Sequence, residues 1–187
     1  MEKRLFVAIK MDPSPEFAGF FGEIKQSLSD EQIKWVDITN FHFTLKFLGK
    51  TKASKFMKLT EILSAICTKH KPFTLNLTGT GYLGSRNHPK VLVVNVDPNE
   101  TLQTVSQQIE EGLSALGFTK EERAFRAHLT LGRIKHIQDK QAFYSLLSDP
   151  ERTFYQQVRV KKIILFESIL NSRGPVYKIL QQFPLQG

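Results

Sequence analysis

A single cysteine, Cys67, leaves this chain without the means to close an intrachain disulfide or to build a zinc site from several thiolates. It lies among Ile62, Leu63 and Ile66, a setting that predicts inert burial. No apolar run is long enough to cross a bilayer, and Arg4-Leu5-Phe6-Val7-Ala8-Ile9 reads as a strand at the very start, with no signal-peptide pattern before it. These absences argue against a membrane partner and make the cytoplasm the expected location. Gly79-Thr80-Gly81 is not followed by Lys-Ser/Thr, so nucleoside triphosphate use has no support. No low-complexity linker divides the chain, so residues 1–187 are expected to form one bilobed domain, long enough for a sizeable core. Acidic residues are also in short supply. Against 18 Asp+Glu stand 26 Lys+Arg, a formal net charge of +8 that favours anionic partners, nucleic acid first and phosphorylated small molecules second.

What is present is a doubled pattern. His42-Phe43-Thr44-Leu45 and His128-Leu129-Thr130-Leu131 each place a histidine two residues before a threonine inside an apolar run. On a strand, residues i and i+2 share a face, so His and Thr point one way and Phe or Leu the other. One such pattern means little; two make a set of proton-transfer groups and neutral hydroxyl donors.

The second histidine stands 86 positions after the first, and other elements repeat near that offset. Phe6-Val7-Ala8-Ile9 falls on Leu92-Val93-Val94-Asn95, and each run is followed by Asp-Pro, at 12–13 and 97–98. Apolar stripes of helical period come next: Phe17, Phe20, Phe21, Ile24 and Leu28, then Leu102, Val105, Ile109, Leu113 and Leu116, with Gly117 where a helix would stop. After each HxT strand a second helix is expected, around Phe56–Ile66 and around Phe143–Leu147. Phe73–Thr78 and Arg159–Ile164 follow as equivalent strands. The turn Asn171-Ser172-Arg173-Gly174-Pro175 leads to a last strand over about Val176–Phe183. The expected fold is an α/β protein of two pseudo-symmetric lobes.

An approximate two-fold would bring one His and one Thr from each lobe to a shared site. A neutral histidine takes a proton from attacking water while a protonated one gives a proton to the leaving oxygen, both within reach of the ordinary histidine pKa of about 6.5. Thr44 and Thr130 would hold the non-bridging phosphate oxygens. Arg126, two residues before His128, shares its face and is a candidate phosphate clamp; Lys46 is expected on the His42/Thr44 face in the same role. Arg133 alternates to the opposite face unless a bulge re-aims it. His70 at a helix end, His88 before Pro89 and His136 after Lys135 belong to no doubled pattern. Thr rather than Asp or Glu accompanies each motif histidine, poor company for catalytic zinc, and no cofactor is called for.

These motifs resemble the two HxTx signatures of the 2H phosphoesterase superfamily, and within it the RNA 2′,3′-cyclic phosphodiesterase / 2′-5′ RNA ligase group. The resemblance extends through Arg4–Ile9, Trp35-Val36, His42–Gly49, Phe125-Arg126 and Ser168, Gly174 and Tyr177, with Ala127 where the family often has proline. It implies antiparallel sheets lining a central cleft with helices outside. It also implies metal-independent opening of RNA 2′,3′-cyclic phosphate ends to 2′-phosphomonoesters, with 2′-5′ joining of tRNA halves in some members. By motif, His42 becomes the proton donor and His128 the acceptor. RNA ends or cyclic-phosphate nucleotides are then the partners, with no obligatory protein partner. The residues themselves leave two alternatives open: a phosphodiesterase of small cyclic nucleotides, and a non-catalytic binder of RNA ends.

Overall fold

The computed structural model describes residues 2–149, 155–172 and 174–187. In chain order it runs β1 (Glu2–Lys10), α1 (Pro15–Ser27), β2 (Gln32–Trp35), β3 (His42–Lys52), α2 (Phe56–Cys67), β4 (Phe73–Gly84), β5 (Pro89–Val96), α3 (Glu100–Ala115), β6 (His128–His136), α4 (Lys140–Ser148), β7 (Tyr155–Val160), β8 (Lys162–Asn171) and β9 (Gly174–Pro184). Two antiparallel sheets result, ordered β3-β1-β8-β9 and β2-β6-β5-β4-β7.

The expected helices form for the expected reasons. Phe17, Phe20, Phe21 and Ile24 put the stripe of α1 into the core, and Leu102, Val105, Ile109 and Leu113 do the same for α3. The caps lie just past the Asp-Pro pairs: Ser14 accepts from the Phe17 amide and Asn99 from the Leu102 amide. Gly117, at φ 79°, ends α3 in the left-handed conformation that glycine adopts without a Cβ penalty. Cys67 is buried at the end of α2, and burial pushes its thiol up to about 12, which keeps it unreactive. His70, just beyond, is explained by a 2.8 Å contact to Gln108 Oε1.

The last strands of the two halves exchange sheets. β4, from the first half, pairs with β5 of the second; β8, from the second half, pairs with β1 of the first. Arg159–Ile164 is therefore not one strand. It breaks at Lys161, where β7 ends against β4 and β8 sets off for the other sheet. The offset also differs by element. His42 pairs with Lys10 and His128 with Asn95, so Phe6, Ala8 and Lys10 correspond to Val91, Val93 and Asn95, one position short of the alignment made from the apolar runs. The Asp-Pro pairs keep this shorter spacing. In a strand such a slip exchanges the two faces.

β1 shows why its apolar run is unbroken. Leu5, Val7 and Ile9 enter the main core, whereas Phe6 and Ala8 face the other way and join Ile164 and Phe166, with Tyr177 against them. That second, small cluster forms the wall beside His42. Of the turn before β9, Arg173 lies outside the described residues.

Candidate active site

His42 and His128 open equivalent strands, β3 and β6, and are anchored in the same way. His42 Nδ1 lies 2.6 Å from the carbonyl oxygen of Asn40, and His128 Nδ1 lies 2.8 Å from that of Arg126. A carbonyl only accepts, so each Nδ1 carries the hydrogen. Each Nε2 is then the nitrogen left for proton transfer. The two imidazoles are close enough for the charge of His128 to act on His42. Burial holds His42 below the ordinary histidine range; the Asn40 hydrogen bond works the other way, and a charge on His128 adds to the lowering. Burial has a visible source in Phe6 and Tyr177, whose ring centroids lie 5.1 Å from that of His42.

Thr44 and Thr130 share the faces of their histidines, both half-buried, while Phe43 and Leu129 between them are fully buried. Beyond the threonines a bulge interrupts each strand at the same place. Lys46 pairs with Val7 and Thr44 with Ala8, leaving Leu45 over; Gly132 pairs with Leu92 and Thr130 with Val93, leaving Leu131 over. An extra residue reverses the alternation. This one device decides two candidates in opposite senses.

Lys46 is turned away from the cleft. It is 5% exposed, and its Nζ donates to Glu110 Oε1 at 2.6 Å and to the Thr119 carbonyl at 2.8 Å. The expectation that Lys46 shares the His42/Thr44 face is corrected: the bulge at Leu45 intervenes, and the lysine clamps β3 to α3 and to the segment leading into β6. Glu110 also accepts from Ser114 and from the Glu121 amide. Phe47 takes the cleft-facing position, 68% exposed, with its ring centroid 6.1 Å from that of Phe6.

Arg133, by the equivalent bulge, comes round to the His128/Thr130 face. It is exposed, and its charge reaches Tyr177 on the other sheet. Burial raises the Tyr177 phenol, and the charges of Arg133 and Arg4 partly oppose that rise. Arg126 is also exposed, and its guanidinium donates to Asn95 Oδ1 at 3.2 Å. Asn95 in turn donates to the Thr80 carbonyl, and a Cβ on Gly81 would come within 2.9 Å of its amide nitrogen. Glycine at 81 thus leaves room for the side chain that holds Arg126.

Phe47, Tyr177 and Asn95 are functional candidates that sequence reasoning gave no role. The signal for Phe47 was present, since it stands as far after His42 as Arg133 does after His128. His88 and His136 lie away from this cluster, and among the described residues no group of three or more His, Cys, Asp or Glu is placed to hold a metal ion.

Paired histidine-threonine strands of this kind on two pseudo-symmetric antiparallel sheets define a 2H phosphoesterase. A family model described as LigT like Phosphoesterase matches residues 8–93 and again 94–177, and the chain belongs to that family. The double match divides the chain as its repeat does. Among curated relatives, the RNA 2′,3′-cyclic phosphodiesterase of Archaeoglobus fulgidus is 30% identical over 184 residues, covering 96% of this chain and 99% of the relative. That of Thermotoga maritima is 30% identical over 186 residues, covering 98% and 96%. Among solved structures, a protein of Thermus thermophilus superposes with a TM-score of 0.79 at 23% identity, covering 98% of both chains. E. coli LigT complexed with 3′-AMP gives 0.78 at 23% identity over the whole of both chains. At that identity the structures establish likeness of fold.

Proposed function

We propose that the protein is an RNA 2′,3′-cyclic phosphodiesterase that opens terminal cyclic phosphates to 2′-phosphomonoesters without a metal ion. The observation that carries this reading is the matched anchoring of His42 and His128, which fixes both Nδ1–H groups on main-chain carbonyls and leaves two Nε2 atoms for one coupled proton transfer. His128 accepts a proton from water as the water oxygen attacks phosphorus. The P–O3′ bond breaks, and His42 donates a proton to the departing O3′. Water is consumed and the histidines exchange protonation states, which solvent resets. Thr44 and Thr130 donate hydrogen bonds to the non-bridging oxygens as charge builds there.

His42 must be charged to donate, yet its burial favours the neutral form. The substrate resolves the conflict, because an anionic phosphate beside the imidazole favours the protonated state. Arg126 supplies further positive charge beside the phosphate, and the exposed ring of Phe47 offers a stacking surface for the adjoining base. Each lobe contributes half of the site, so the reading takes residues 1–187 as one functional domain. Among the described residues no helix is long and apolar enough to cross a membrane, and the reading assigns the protein to the cytoplasm.

The test is incubation of the purified protein with RNA ending in a 2′,3′-cyclic phosphate, in excess EDTA. Accumulation of 2′-phosphate ends is expected. Binding without ring opening, or activity lost only on chelation, would reject the proposal.

A further inference from the structure

At the end of the cleft reached by the last residues of β3 and β6, like charges sit directly opposite one another on both sheets. Arg4 pairs with Lys50 across β1 and β3, and Lys34 pairs with Arg133 across β2 and β6. Directly opposed residues of an antiparallel pair share a face. Arg4 is two residues before Phe6 on β1, and the register shift between Leu5 and Phe6 puts the extra residue, Leu48, on β3, so Arg4 and Lys50 lie on the wall that carries Phe6 and Phe47. On the other wall, the core-facing neighbours Ile33 and Trp35 flank Lys34, which therefore faces the cleft with Arg133. The charges of Arg4 and Arg133 both reach Tyr177, so the two walls converge there.

All four cations are exposed, and none forms an ion pair with a carboxylate among the described residues, where the ion pairs are Lys3–Glu167, Lys10–Asp12 and Lys46–Glu110. Lys52 continues the series on β3, opposite Glu2. Glu2 is the one acidic residue these strand pairings bring to that end. Like charges placed directly opposite cost stability unless an anion lies between them. The histidines stand at the other end of the same two strands, with Arg133 roughly 15 Å along β6 from His128.

We propose that this basic end of the cleft is a binding track for the RNA strand that carries the cyclic phosphate, with Lys34 and Lys50 as phosphate contacts remote from the scissile bond. The proposal rests on the function assigned above and extends it from the reacting phosphate to the body of the substrate. The track should give RNA the tighter binding, because a nucleoside 2′,3′-cyclic phosphate would occupy the histidine end alone.

The experiment compares wild type with Lys34→Gln, Lys50→Gln and the double variant. Direct binding of a 3′-phosphate-ended RNA oligonucleotide is read by fluorescence anisotropy across a salt series, and turnover is measured on a nucleoside 2′,3′-cyclic phosphate. Loss of each phosphate contact should shallow the slope of log affinity against log salt by about 0.7. RNA affinity should fall several-fold per variant and further in the double, while mononucleotide turnover stays at the wild-type value. Unchanged RNA affinity and salt slope in the folded double variant would overturn the track. So would an equal loss on RNA and mononucleotide, which would place the lysines at the reacting phosphate. Since binding is read without catalysis, a wild type that bound RNA but left cyclic phosphates closed would reject the assigned function and still leave the track to be judged by its own slopes.

Discussion

Phe47 and Arg133 occupy the same place on two pseudo-equivalent strands, each five residues after a motif histidine, each past a one-residue bulge, and each exposed on the cleft face. One is an aromatic ring beside Phe6, the other a cation whose charge reaches Tyr177. The repeat supplied two copies of one backbone device, and the side chains at its end have diverged. The cleft consequently has an aromatic wall and a polar, cationic wall, an arrangement suited to a base on one side and a phosphate on the other.

Phe47→Ala should therefore raise KM for a cyclic-phosphate nucleotide while leaving kcat and the melting temperature nearly unchanged. Stacking of a base on an aromatic ring is worth about 1–3 kcal/mol, or roughly five- to a hundred-fold in affinity. A ring already 68% exposed contributes little to folding. Steady-state kinetics with an unaltered KM would take Phe47 out of the substrate site.

His42→Ala and His128→Ala should each reduce cyclic-phosphate hydrolysis by about a hundred- to ten-thousand-fold, with the fold retained. The double variant should lose less than the product of the single losses, since the two groups serve one proton transfer. Either histidine proving dispensable in single-turnover assays would end the two-histidine mechanism.

Thr44→Val and Thr130→Val keep the β-branched shape and remove the hydroxyl. A hydrogen bond to a charged oxygen is worth about 1.5–3 kcal/mol, so kcat should fall roughly ten- to a hundred-fold. Wild-type turnover in both folded variants would exclude the threonines from transition-state stabilisation.

The lowered pKa of His42 has a consequence for both rate and stability. As the donor in the free enzyme, His42 should make kcat/KM decline as pH rises through a value below the ordinary 6.5 or so of histidine. The corresponding limb of kcat should lie at higher pH, because bound phosphate favours the imidazolium. For folding, a depressed histidine pKa means that its contribution is fully present above the unfolded value and is lost as pH falls through the folded one. Denaturation profiles of wild type and His42→Ala should diverge in that window. A kcat/KM limb above pH 7 that vanished in His42→Ala would contradict the assignment.

Lys46→Met should destabilise the protein by about 1–3 kcal/mol. That is less than the 3–5 kcal/mol typical of breaking a fully buried pair, because the Glu110 side chain retains 19% exposure. Burial acts to raise the Glu110 carboxyl, but the Lys46 hydrogen bond, the Glu121 amide, the charge of Lys46 and the Ser114 hydroxyl together bring it below the usual carboxylate value. Its contribution is present above the unfolded carboxylate pKa and lost as pH falls through the folded one. Urea denaturation at neutral and acid pH should show the variant's deficit shrinking in acid. A deficit independent of pH would assign the loss to packing alone.

Most of the elements, the doubling and the candidate histidine-threonine pairs were legible in the chain, because these depend on short-range periodicity. Alternation over four residues puts His42 with Thr44 and His128 with Thr130 on common faces, and helical spacing aligns the stripes of α1 and α3. What lay beyond the first interruption of that periodicity was set by strand pairing. A bulge at Leu45 sent Lys46 inside and one at Leu131 brought Arg133 into the cleft. Such an inserted residue is a property of strand pairing, visible only against β1 and β5. The exchange of β4 and β8 between sheets was likewise outside the reach of local pattern, since an apolar strand carries no record of which sheet will accept it. Assembly of the site belongs to the same level. His42 and His128, 86 positions apart, are neighbours because the two lobes bury one continuous core, and their matched Nδ1 anchors exist only once Asn40 and Arg126 are held beside them.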